Sequence, residues 1–327
     1  MAAPAAASEI FAAAPRVLTS FEVWSFNLRT EFCDAADGPD GWSQRRGLVV
    51  DFIRARRPAL LCVQEATEAM LSFLAEGLAE YGWRGTSRTP GRADEMAGFL
   101  YDRRRLEAVE YCASWLGPPG APAGQACWDA AYPRTTEALV FRIRGQGSAK
   151  APVHLRAVNT HLDHVGVEAR RRSAELLAES VERGAAEWPG CVQVLCGDFN
   201  SPKAGGNRVY ELLTAGRTGL RDAAREAGKR SLVRSTIHKF EGTAFAAKRG
   251  DGTVDLTASA ASPEDAQHID WVLYRDSERL RLRPARCEVI TEALPSGRYP
   301  SDHFPVSVTF ELESRAAARG SAPAARL

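Results

Sequence analysis

The seven cysteines of this chain are odd in number and form no Cys-x-x-Cys pair. Neither a disulfide framework nor a thiolate zinc site is therefore indicated. Cys62 and Cys196 lie inside apolar runs, where cysteine behaves as a small hydrophobe. A reducing, intracellular compartment is expected, with the cytoplasm favoured. No apolar run reaches transmembrane length, so no membrane association is expected. A strong net charge is also missing: 42 Lys and Arg stand against 41 Asp and Glu, a balance of +1. No global field would hold the protein on a long polyanion, although a local patch is compatible with this balance. The alanine-rich start has no basic n-region and no long apolar core, so it does not read as a secretory signal. The final Ala325-Arg326-Leu327 matches a relaxed peroxisomal address, a three-residue pattern that chance often supplies.

What is present is ordinary globular composition, 45% hydrophobic and 25% charged over 327 residues. Short apolar or alternating runs read as strands: 21–29, 59–65, the segments "MAGFLYD" and "LEAVEYCASWL", the pair "TEALVFRIR" and "VHLRAVNTH", then "CVQVLCGDFN", "HIDWVLYR" and "PVSVTFELE". Helical spacing marks 42–58, a segment from a Thr67 cap to about Tyr81, the long amphipathic stretch 166–188, and "GNRVYELLTAG". Residues 246–268 read as a polar insertion. No repeat and no linker divides the chain. One domain over 21–313 is expected, a monomer, with a disordered lead-in at 1–20 and a disordered tail at 314–327. Strands interspersed with long helices predict a sheet core faced by helices.

The polar residues sit at strand ends. "WSFN" ends in Asn27, "LCVQE" in Glu65, "AVNTH" in His161, and "LCGDFN" in Asp198 and Asn200; "HID" opens a strand with Asp270, and "PSDH" places Asp302 and His303 just before one. Each has a plain structural reading. Asn and Asp form turns, Glu65 is placed to cap the next helix, and His161 fits a satisfied core histidine. Six such ends together favour a site built from strand-end loops.

These residues resemble, in family order, the "FN", "QE", "NTHLDH", "GDFN", "HID" and "SDH" motifs of the endonuclease/exonuclease/phosphatase superfamily. The resemblance runs from Phe21 to Leu312. It implies an α/β fold, a four-layer α-β-β-α sandwich in which two packed mixed sheets are flanked by helices and the site lies at one end. It also implies a Mg²⁺-dependent phosphoester hydrolase, with Mn²⁺ as substitute. A phosphodiesterase or nuclease is the leading expectation. The alternatives are a phosphomonoesterase on a small metabolite or nucleotide, and a non-catalytic binding protein. The substrate partner expected is nucleic acid or a nucleotide.

Phosphoester hydrolysis needs a cation on the phosphate, an activated water in line, and donors for developing charge. Glu65 is the expected metal ligand, joined on the strength of the resemblance by Asn27 and Asp302. Asp198 is expected to deprotonate the water or bind a second metal, and Asn200 to donate to a phosphoryl oxygen. His303, oriented by Asp270, would contact the phosphate. His161 would bind or protonate a phosphoryl or leaving oxygen, partnered by Glu137, where nucleases of the family carry a glutamate. Small bacterial-type members have Thr-Trp where this chain has Glu137-Ala138, a departure that puts close substrate kinship in doubt. Arg134 and His238 are further substrate-binding candidates, and Glu95 stands where relatives place a glutamate before a strand.

Overall fold

The computed structural model describes residues 16–148, 151–203, 208–231, 233, 235–245 and 268–315. Within them the chain forms two packed mixed sheets with helices against their outer faces, the expected sandwich. One sheet contains β1 (Arg16–Asn27), β2 (Leu60–Gln64), β3 (Tyr81–Arg84), β4 (Phe99–Asp102), β10 (Lys229–Ser231), β12 (Leu280–Val289) and β13 (Val306–Ser314), ordered β10-β12-β13-β1-β2-β4-β3. The other contains β5 (Leu106–Trp115), β6 (Thr135–Ser148), β7 (Ala151–His161), β8 (Val192–Asp198), β9 (Arg221–Asp222) and β11 (Asp270–Arg275), ordered β5-β6-β7-β8-β11-β9. The helices are α1 (Asp34–Asp37), α2 (Trp42–Arg56), α3 (Glu68–Gly77), α4 (Val167–Glu187), α5 (Val209–Thr214) and α6 (Ala223–Glu226).

The period-two alternation of strands sorts the apolar residues into layers. Val23, Leu60, Cys62, Leu155, Val192, Val194 and Cys196 point between the sheets. Their neighbours Trp24, Phe26, Leu61 and Val63 pack under Val49 and Ile53 of α2 and Met70 and Leu74 of α3. On the far side, Val158, Leu195 and Trp271 meet Leu177 and Val181 of α4 and Leu213 of α5.

Three boundaries differ from the sequence reading. β1 begins at Arg16, inside the expected lead-in, because β13 pairs with it from Arg16↔Ser314 onward. The helix capped by Thr67 ends at Gly77, and Tyr81 instead opens β3, an edge strand of four residues. β12 escaped notice because Pro284 interrupts its alternation; the register shift between Pro284 and Arg286 accommodates the proline. Residues 246–267 of the insertion, and the tail with Ala325-Arg326-Leu327, lie outside the described residues. Among the described residues, no helix is long and apolar enough to cross a membrane.

Candidate active site

Strand register assembles the site. Parallel pairing of β1 with β2 sets Asn27 level with Gln64, and parallel pairing of β7 with β8 sets His161 level with Asp198. Antiparallel β11 brings Asp270 beside Asp198 from the other side. Asn27, Gln64, Asn159, His161, Asp198 and Asp270 share the parity of the inter-sheet apolar residues. The polar cluster is thus the last layer of the core, where hydrophobic residues give way to groups that face a cleft. Gly197 permits the close approach of β7 and β8, since a Cβ there would lie 2.5 Å from the Thr160 carbonyl oxygen.

Two buried amides of this layer tie the sheets together. Gln64 Nε2 donates to Asn159 Oδ1 at 2.7 Å, while Asn159 Nδ2 donates to the carbonyls of Gly98 (2.7 Å) and Val63 (2.9 Å). Strand alternation alone would turn Glu65 toward the α2/α3 layer. Its left-handed backbone, φ +58°, redirects it to the cleft, at a cost of about 1–3 kcal/mol. There Asn27 Nδ2 donates to Glu65 Oε1 at 2.9 Å and the Thr30 amide to Oε2 at 3.1 Å. Asn200 is likewise left-handed, φ +44°.

The cleft has a volume of about 470 Å³, and Glu65, Arg134, His161, Asp198, Asp302 and His303 are among its lining residues. Asp198 accepts from the Asn200 amide (2.9 Å) and from Asn27 Nδ2 (3.0 Å). Burial and the charge of Asp270 push its carboxyl up to about 7. His303 Nδ1 lies 3.0 Å from Asp270 Oδ2, and its Nε2 lies 3.9 Å from Asp198 Oδ2. Burial opposes a charge on this ring, but Asp270 outweighs it and holds His303 well above the usual histidine range. His161 behaves oppositely: burial, then the charges of Arg134 and Arg88, drive it well below that range, so the ring is neutral. Its Nε2 sits 3.0 Å from Asn200 Nδ2 and 3.6 Å from Asp198 Oδ2. An amide N–H facing Nε2 assigns the ring proton to Nδ1.

The contacts place four of the expected residues differently from the sequence reading. Glu137 is fully buried and does not pair with His161: Tyr111 Oη donates to it at 2.7 Å and the Thr86 amide at 3.2 Å. Its side chain follows the inner face of β6, two strands from β8, with β7 between them. His238 does not line the cleft. It is buried, stacked on Phe304 at 3.8 Å between ring centroids, and accepts from the Gly242 amide; its neighbour Ile237 reaches the cleft instead. Asn200 cannot offer a spare N–H to a phosphate here, because Nδ2 faces both His161 and the Leu162 carbonyl. Asn27 presents its amide nitrogen, not its oxygen, to the carboxylates; Oδ1 accepts from the Arg29 amide. It separates Glu65 from Asp198.

The sequence reading assigns no role to Asp163, Arg88 or Tyr132, whereas it names Glu95. Asp163 holds the loop before β6 and the start of α4 by accepting from the amides of Ala131, Tyr132, Val165 and Gly166, and from Arg134 Nε. Its signal was its place in "NTHLDH", two residues after His161. Arg88 and Tyr132 come from loops with no local signal. Glu95 lines the cleft, with burial and the charge of Glu65 pushing it up to about 7.

The donor set fits a hard divalent cation such as Mg²⁺ or Mn²⁺. Glu65, His161 and Asp198 offer ligand atoms within 4.8 Å of one another, as do Asp198, Asp270 and His303. Asp270 Oδ1 is buried without a hydrogen-bond partner among the described residues. Burial and the nearby Glu65 charge raise Asp302 above the usual carboxylate range. A cation would relieve this crowding of carboxylates.

Comparison with known proteins agrees with this architecture. The model of the Endonuclease/Exonuclease/phosphatase family matches residues 20–303. The CCR4-Not complex 3'-5'-exoribonuclease subunit Ccr4 of Saccharomyces cerevisiae is 22% identical over 304 residues, which cover 83% of this chain and 35% of that protein. Nocturnin of Drosophila melanogaster is 23% identical over 291 residues, 83% of this chain and 42% of its own. The chain therefore spans less than half the length of these curated relatives. The crystal structure of an endonuclease/exonuclease/phosphatase from Bacteroides vulgatus superimposes with a TM-score of 0.73 at 27% identity, covering 90% of this chain and 100% of that one. With its strand-end carboxylates, its paired Asp270 and His303, and a family match over most of its length, the chain belongs to the endonuclease/exonuclease/phosphatase family.

Proposed function

We propose that the protein is a divalent-metal-dependent phosphoester hydrolase that uses water as nucleophile. The observation that carries this reading is the meeting of Asp198, His161 and the Asp270–His303 pair in one cleft with Glu65. Bound Mg²⁺ or Mn²⁺, held by Glu65 with Asp302 nearby, would supply Lewis-acid neutralisation of the phosphoryl charge.

The chain's own groups do the rest. Asp198, titrating near neutrality, takes the proton of an attacking water as the new P–O bond forms opposite the leaving oxygen. His303, a cation fixed by Asp270, donates from Nε2 to a phosphoryl oxygen. His161, neutral and held by Asn200, donates from Nδ1. Both place donors where negative charge develops. Asn27 keeps Glu65 and Asp198 apart, so that neither swings onto the other's position.

The nuclease reading of the sequence drew support from Glu137 beside the histidine. With Glu137 bonded to Tyr111, that support is gone, and the near-zero net charge favours a small phosphoester over a long nucleic acid. The test is hydrolysis of p-nitrophenyl phosphate and bis-p-nitrophenyl phosphate by parent, Glu65→Gln and Asp198→Asn, with Mg²⁺ or with EDTA. Loss of a general base costs about 10²–10⁴-fold. Asp198→Asn should lose that much kcat and keep its fold. Parent activity that persists undiminished in EDTA would sink the reading.

A further inference from the structure

Beside the cleft, on the flank away from His303, two arginines stand close to one another's partners and outside the hydrolytic set. Arg88 and Arg134 are 9% and 6% exposed. Each is fixed by carboxylates. Arg88 Nε donates to Asp94 at 2.9 Å and its Nη1 to Glu95 at 2.7 Å; Arg134 Nε donates to Asp163 at 3.3 Å and its Nη2 faces His164 Nδ1 at 3.3 Å. Both guanidinium groups lie by the ring of Tyr132, at 4.8 Å and 5.9 Å from its centroid. The second terminal nitrogens, Arg88 Nη2 and Arg134 Nη1, have no partner among the described residues, and neither is a sealed, unsatisfied atom.

Those arginines line a recess of about 10 Å³ together with Glu95, Met96, Pro133, Thr135 and His161. That volume holds one water-sized group. The recess and the main cleft share Arg88, Glu95, Arg134 and His161 in their walls, so they adjoin. A phosphoryl group seated on His161 would turn one oxygen toward this half-open recess and its two arginines. A phosphomonoester carries nearly two negative charges at neutral pH and a diester only one. The arginines' remaining N–H groups match the terminal oxygens of the former.

We propose that Arg88 and Arg134 form a subsite for a terminal oxygen of a dianionic phosphate, and that their two positive charges make phosphomonoesters the preferred substrates. The proposal rests on the hydrolase reading above. The carboxylate anchors hold both guanidinium groups at the recess, where two positive charges favour a dianion over a monoanion. Tyr132, 48% exposed at the lip, flanks the opening through which the leaving group would extend.

The experiment compares kcat/KM for p-nitrophenyl phosphate and bis-p-nitrophenyl phosphate in the parent, Arg88→Gln, Arg134→Gln and the charge-keeping Arg88→Lys and Arg134→Lys, all with Mg²⁺. Calorimetric titration of the same proteins with inorganic phosphate runs alongside, and circular dichroism confirms folding. The parent should prefer the monoester. Each Gln variant should lose about ten- to a hundredfold on the monoester and on phosphate affinity, the size of a lost charge-assisted hydrogen bond, and far less on the diester. The Lys variants should recover only part, because the fork is gone. A parent that prefers the diester, or equal losses on both substrates, overturns the proposal. If the parent hydrolyses neither substrate, the hydrolase reading fails. Phosphate titration then decides the subsite separately: affinity unchanged in both Gln variants overturns it, and affinity lost in them supports it. If a Gln variant fails to fold, its Lys counterpart serves, with undiminished monoester preference as the overturning result.

Discussion

His303 Nδ1 lies 3.0 Å from Asp270 Oδ2, both side chains buried at the meeting of β11 and the segment that leads into β13. Each strand alone presents an unremarkable polar residue. Together they make a fixed imidazolium whose Nε2 is aimed at the cleft. Asp270 therefore acts on the reaction through His303.

The first prediction follows from that coupling. Asp270→Asn removes the charge that holds His303 above the ordinary range, so the ring should deprotonate at lower pH. Activity that needs the imidazolium should then fall off earlier on the alkaline side. A double mutant with His303→Ala should be no worse than His303→Ala alone, since residues that act as a unit are non-additive. The measurement is the pH profile of kcat for the singles and the double. Additive losses would place Asp270 in another role.

The second concerns metal and pH. The folded carboxyls of Asp198 and Glu95 titrate at about 7 and that of Glu137 at about 8, all above their ordinary values. Between the ordinary range and these values, the folded state holds protons that the unfolded chain releases. The contribution of these carboxyls to the stability of the metal-free protein should therefore fall as pH rises from about 4 to about 8. Below about 6.5 it is opposed by the buried His238 and His268, which burial lowers to about 3, so the net fall is read between about pH 6.5 and 8. A divalent cation at the carboxylates counters this. Mg²⁺ should raise Tm more at pH 8 than at pH 5, and a hundredfold excess over Kd stabilises by about 2.7 kcal/mol. A Tm shift independent of pH would contradict the assignment.

Glu137 gives the third. Burial keeps its proton near neutrality, and Tyr111 Oη donates to it. Glu137→Gln should leave kcat within a few-fold of the parent and raise stability at pH 8, where the carboxyl would otherwise ionise in the core. Glu137→Ala instead strands Tyr111 Oη and the Thr86 amide, at roughly 1–3 kcal/mol for an unsatisfied group. Denaturant melts and steady-state rates on the same samples separate these effects. A large kcat loss in Glu137→Gln would restore a catalytic role.

The cross-sheet tie supports the fourth. Asn159→Ala leaves the Val63 and Gly98 carbonyls and Gln64 Nε2 without partners. Each orphaned group costs about 1–3 kcal/mol, so the midpoint of urea unfolding should drop markedly. Asn159→Asp keeps an acceptor for Gln64 but sets a buried carboxylate against the Val63 and Gly98 carbonyls, and at neutral pH should fall at least as far as Ala. An unchanged midpoint in Asn159→Ala would show that the sheets are held elsewhere.

The sequence by itself determined the sandwich and most of the chemistry at its end. Strand alternation from Val23 to Asn27, and from Val192 to Asp198, already placed polar residues on the face that the apolar ones use. The motifs around His161, Asp198 and His303 carried their neighbours with them, because those relations are local. Tertiary structure decided everything that depends on which strands lie side by side. Register alone set Asp270 opposite Asp198, and a left-handed turn at Glu65, which no propensity signals, brought its carboxylate into the cleft. Glu137 was placed beside His161 because its position along β6 was right, while its hydrogen-bond partners, the Tyr111 phenol of β5 and the backbone amides of Thr86 and Ala97, come from elsewhere. Arg88 was invisible for the same reason: a loop arginine acquires meaning only when Asp94, Glu95 and Tyr132 close around it. Local patterns encode what a strand end offers, and only the packing of two sheets determines which offers meet.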